Sequence, residues 1–124
     1  MRSKSLRRVL AFASVSCFLA IVILSLLPRD VMTTMPTGAL KKTLEHFGAY
    51  GGTAFLAGLS PLRRASFPVS FAFFIAFAGV LEYAQHWSPG RDAGWDTFLA
   101  SAAGALCGLA AARLAIRRQS LRRA

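Results

Sequence analysis

The chain has 124 residues, enough for one domain, and 55% of them are hydrophobic, with a mean hydropathy of +0.48. A soluble domain of this size would have to show water larger apolar patches than monomers tolerate. The formal net charge is +10, but the bases cluster at the two ends and in one short loop between apolar runs, which is a membrane-topology pattern and argues against nucleic acid as a partner.

Arg2, Lys4, Arg7 and Arg8 precede an apolar run from Val9 to Leu27. The run is too long for a signal-peptide core and has no small-x-small site before Pro28, so an uncleaved first span is expected over about 9–27. Arg29 to Leu40 reads as a loop with Pro36 and Gly38. Lys41 and Lys42 lead into the second and weakest span, about 44–59. Gly48 and Gly52 lie four apart there and suggest a face for close helix approach. His46 and Tyr50 share a face by the same spacing.

Ser60-Pro61 stops that helix, and Arg63 and Arg64 follow in a tight loop. A Phe-rich third span is predicted over about 67–87, with Glu82, Gln85 and His86 on one face of its last turns. Ser88-Pro89-Gly90 has Pro and Gly in the order of a type II turn, bracketed by Trp87 and Trp95 as interface aromatics. The fourth span is predicted over about 95–116. Asp96, Ala100, Gly104, Gly108 and Ala112 repeat every four residues, a stripe that should pack on neighbouring helices and point Asp96 into the bundle.

With four spans, eleven Lys and Arg fall on the side of the termini and four on the other, so both termini are predicted cytoplasmic. The expected fold is a single all-α membrane domain over residues 1–124, a four-transmembrane-helix bundle. All five acids and both His then fall at the outer face.

Three segments bring candidate functional groups to that face: His46 and Tyr50, Glu82 and Gln85, and Arg91, Asp92 and Asp96. Glu82 lies about 7 Å deeper than Trp87 along the helix, where an unpaired acid is costly, so Arg91 or His46 is its expected partner. Glu82 with His46 would form an acid/base pair if a reaction occurs. Arg91 would meet an anionic group on a ligand, with Gln85, Tyr50 and Asp96 completing the binding set. Blander roles also fit: Tyr50 as an interface anchor, and Asp92 and Asp96 as ordinary first-turn acids. His46, Glu82, His86 and Asp96 lack a zinc-like spacing, and no metal or cofactor is expected. Cys17 and Cys107 sit in apolar runs and read as small buried hydrophobes.

Ser25-Leu26-Leu27-Pro28, Glu45-His46-Phe47-Gly48-Ala49-Tyr50, Glu82-x-x-Gln85 followed by Pro89-Gly90-Arg91, and Gly104-Ala105-Leu106-Cys107-Gly108 together resemble the VanZ-like family. The resemblance implies a small multi-span protein of the bacterial inner membrane, in a family linked to resistance to the glycopeptide teicoplanin. The family places an Asp where this chain has Thr97 and an Asn where it has Ser101, so the resemblance leaves Asp96 as the acid that would substitute. The expected function is a polar pocket at the outer face that takes an envelope or lipid head group, with membrane lipids as partners. Two rival readings are a structural or partner-binding membrane protein and a small exporter subunit. The exporter would want an ionisable group near mid-span, and none is present.

Overall fold

The computed structural model describes residues 4–28, 38–60, 65–91 and 93–124. Arg2, Arg29, Asp30, Pro36, Pro61, Arg63, Arg64 and Asp92, which enter the topology and loop readings above, lie outside them. The described chain forms four helices: α1 (Lys4–Leu26), α2 (Ala39–Leu59), α3 (Phe67–Gln85) and α4 (Trp95–Leu121). By length and composition α1, α3 and α4 are able to cross a membrane. In α2, Lys41, Lys42, Glu45 and His46 dilute the apolar content, and it is not among the helices that reach that standard.

The helices run past the apolar segments that announce them. α1 starts at Lys4 rather than Val9, α2 at Ala39 rather than Leu44, and α4 continues to Leu121 rather than Ile116. Lys and Arg are good helix formers, so hydrogen bonding continues where apolarity stops. Lys41 and Glu45, one turn apart and 3.8 Å from each other, support the first turns of α2. α3 stops at Gln85, two residues early, because Ser88-Pro89-Gly90-Arg91 turns the chain: Arg91 N–H donates to the Ser88 carbonyl at 3.3 Å, and Gly90 has φ 71°. That is the expected type II geometry, which needs glycine's freedom at its third position.

Neighbours alternate in direction. α2 and α4 run the same way, since His46 meets Ser101, Phe47 meets Gly104 and Gly58 meets Ala112. α1 and α3 also share a direction, with Phe18 beside Phe74 and the Leu26 carbonyl beside Ser88. Glu82 against Thr97 makes α3 and α4 antiparallel. One end of the bundle therefore carries the Glu82 turn and the start of α2, and the other carries Lys4, Ser60, Phe67 and Leu121.

α2 and α4 approach closely enough for their backbones to touch. A Cβ on Gly104 would strike the Phe47 carbonyl, and one on Gly108 the Gly51 carbonyl. The stripe Ala100, Gly104, Gly108, Ala112 is buried as its spacing suggests, but the facing glycines of α2 are Gly51 and Gly58. Gly48 and Gly52 have nothing within 4 Å, because they lie on the other side of α2. On the opposite side of the bundle, Phe18 stacks on Phe74 at 5.3 Å and meets Phe73 and Phe77 edge-on at 5.7 and 5.2 Å. Such pairs contribute about 0.5–1.5 kcal/mol each beyond their area.

The distribution of side chains is inverted relative to a water-soluble bundle. Phe12, Val80 and Leu99 are exposed, whereas Ser14, Gln85, Thr97 and Ser101 are among the most deeply buried. Interhelical hydroxyls and glycines inside, with large aliphatic groups outside, suit packing in lipid. Cys17 is half-buried and Cys107 exposed, so neither is the fully buried hydrophobe expected, because both fall off the packed faces of their helices.

Candidate functional site

The polar groups gather where the turn after α3 folds back over Glu82. Gly94, just before α4, donates its N–H to Glu82 Oε1 at 2.6 Å, and the Thr97 hydroxyl reaches the same oxygen at 2.6 Å. Thr97 Oγ1 is also 2.9 Å from the Gly94 carbonyl, which ties the first turn of α4 to the loop. The partner of Glu82 is thus an amide and a hydroxyl, not Arg91 or His46. Two short hydrogen bonds relieve the cost of an embedded carboxylate without a cation.

Arg91 turns the other way. Its Nε donates to the Leu27 carbonyl at 3.1 Å, and its Nη2 donates to the Leu24 carbonyl. Ser88 Oγ adds a bond to the Leu26 carbonyl at 3.1 Å. The last carbonyls of a helix have no partner within it, and a guanidinium fork suits them by charge and shape. Arg91 is therefore a clasp on the end of α1, where the sequence suggested a charge offered to an anionic ligand.

His46 Nδ1 lies 3.2 Å from Ser101 Oγ, and Ser101 in turn donates to the Thr97 carbonyl at 2.9 Å. With its proton so used, the Ser101 hydroxyl has only a lone pair for His46. Nδ1 then carries the hydrogen. His46 and Glu82 are joined through Thr97 and Ser101, not in the direct acid/base contact expected. Tyr50 is 4% exposed and packs on Phe77 with ring centroids 5.9 Å apart, so it is a core residue beside the cluster and not an exposed anchor.

Gln85 is 1% exposed, and its Oε1 has no hydrogen-bond partner among the described residues. It continues the inner face of α3 formed by Phe74, Ala78 and Leu81, one turn past Glu82. Asp96 is exposed in the first turn of α4 and does not point into the bundle. Its neighbour Thr97 takes the inner position, because one residue is about 100° around a helix. His86 is exposed, with Nδ1 3.2 Å from the Glu82 carbonyl. Thr97 and Ser101 are the site residues that sequence reasoning passed over as departures from a family pattern. Their spacing of four on the buried stripe was the available signal. Among the described residues, no three His, Cys, Asp or Glu side chains come together as metal ligands.

The cluster is rich in acceptors. Gln85 Oε1 and the Glu82 carboxylate both call for hydrogen-bond donors. The molecule is an all-helical bundle, three of its helices able to cross a membrane, with a buried polar network at one end. No protein-family model matches the chain, and no curated protein or solved structure matches it.

Proposed function

We propose that this chain is a VanZ-like protein of the bacterial inner membrane with four spans and both termini in the cytoplasm. Its polar cluster opens toward the outer face and binds an amine- or hydroxyl-bearing head group of a lipid or envelope component. Topology is supported by the excess of basic residues on the side of the termini, eleven against four. The observation that carries the binding reading is the orphan acceptor of Gln85, buried one turn from Glu82. A buried polar atom without a partner is costly, and a donor on a ligand would satisfy it.

The test uses the purified full chain with phosphatidylethanolamine and phosphatidylcholine as probes, read by native mass spectrometry. Phosphatidylethanolamine offers an ammonium donor that phosphatidylcholine lacks. Retention of phosphatidylethanolamine in excess, lost in Gln85→Leu and Glu82→Gln, is the expected result. Equal retention of both lipids, or a preference indifferent to both changes, would reject the reading. A purely structural role is the second reading, favoured by the internal satisfaction of Glu82 by Gly94 and Thr97. It expects no lipid preference from these residues at all. Changed teicoplanin susceptibility in cells carrying Glu82→Ala or His46→Ala would connect the pocket to the envelope.

A further inference from the structure

The end of the bundle away from Glu82 holds a cavity of about 360 Å³ to which all four helices contribute. That is within the size range of small-molecule sites, about 300–1,000 Å³. Phe18 of α1, Phe67, Phe73 and Phe74 of α3, and Leu109 of α4 form its walls. Ser70 is the one hydroxyl side chain among its described lining residues, and Arg113 the one charge. The Arg113 guanidinium sits over the Phe67 ring, 5.0 Å from its centroid, which holds a cation at the rim of an apolar chamber. Val69 and Phe73 are more than half exposed, so the wall formed by α3 is open to the side.

We infer that this cavity takes an acyl chain of an anionic membrane phospholipid, whose phosphate pairs with Arg113. Apart from the Ser70 hydroxyl, the described walls offer an alkyl chain dispersion contacts and no other polar side chain. The rim offers one cation with a forked set of donors that matches phosphate oxygens. Charge complementarity selects the head group. The described acids, Glu45, Glu82 and Asp96, belong to the segments around the opposite end, and Arg117 and Arg118 follow Arg113 on α4. This site rests on the membrane character of the helices and is independent of the polar cluster at the Glu82 end.

The experiment is lipid retention by the full chain, read by native mass spectrometry with phosphatidylglycerol against phosphatidylcholine. The chain is expected to keep one phosphatidylglycerol in preference. Arg113→Gln should reduce that preference about fivefold, the factor that one basic side chain gives beside an anionic lipid. Arg113→Lys should restore part of it, and Ser70→Leu, which fills the chamber, should lower retention of the bound lipid. Arg122→Gln should leave it unchanged, separating this site from the basic tail. Equal retention of both lipids overturns the proposal. So does a preference that Arg113→Gln spares, or that Arg122→Gln lowers as much. Helicity by circular dichroism accompanies each variant, and Arg113→Lys, which keeps the charge, stands in if Arg113→Gln does not fold. In that case, retention in Arg113→Lys that Ser70→Leu fails to lower overturns the assignment.

Discussion

The Thr97 hydroxyl donates a 2.6 Å hydrogen bond to the Glu82 carboxylate, joining the last turns of α3 to the first turn of α4. Thr97 is fully buried, so water does not replace the bond if it is lost. Thr97→Val keeps the shape and removes the donor. It is expected to lower stability by about 1–3 kcal/mol, read as a drop in melting temperature in detergent. Thr97→Ser should recover most of the loss. A valine variant as stable as the parent would show that the Gly94 amide alone suffices.

Asp96 offers the matching control. It is exposed, and the residue beside it takes the inner position. Asp96→Asn should change stability by less than about 0.5 kcal/mol. A larger loss in the same melting assay would put the acid back among the functional groups.

The glycines divide by what faces them. Gly104→Ala and Gly108→Ala would push a methyl group into backbone carbonyls of α2 and should cost about 1–3 kcal/mol or more. Gly48→Ala and Gly52→Ala meet nothing and should be neutral or gain about 0.5–1 kcal/mol from helix propensity. Melting temperatures of the four variants check the division, and similar losses in all four would contradict this helix register.

Arg91→Ala should release the end of α1, since two donors to the Leu24 and Leu27 carbonyls disappear together. The expected loss is about 1–3 kcal/mol. Arg91→Lys should recover only part, because an ammonium lacks the planar fork. Faster proteolysis near residues 24–28 would be the local sign. Uniform destabilisation without it would argue against the clasp.

Gln85→Leu is expected to raise the melting temperature of the lipid-free protein while weakening its lipid preference. Removing a buried acceptor without a partner relieves a cost of about 1–3 kcal/mol. A residue retained for packing alone would not set stability and binding against each other. A fall in melting temperature would mean that Gln85 has a structural partner after all.

The helices were legible because a chain crossing lipid must satisfy its backbone within each segment, and that leaves long apolar runs. The turn after α3 was legible from Pro89 and Gly90, whose types prescribe its backbone. The phase of the contacts was not. Gly48, Gly51, Gly52 and Gly58 offer α2 two small faces, and only the partner decides which is used. The same one-residue ambiguity exchanged Thr97 for Asp96. The contact of Arg91 with the end of α1 was not legible either, because open carbonyls leave no mark in the sequence.

The contact between the α2 and α4 backbones bears on how the protein is made. In the four-span arrangement proposed above, α2 is the segment least suited to partition into a bilayer by itself, and the glycine-lined groove that receives it belongs to α4. Translation delivers that groove only after α3 has emerged. In that arrangement α2 settles only once α4 has been made, and a product truncated before α4 leaves α2 without a berth.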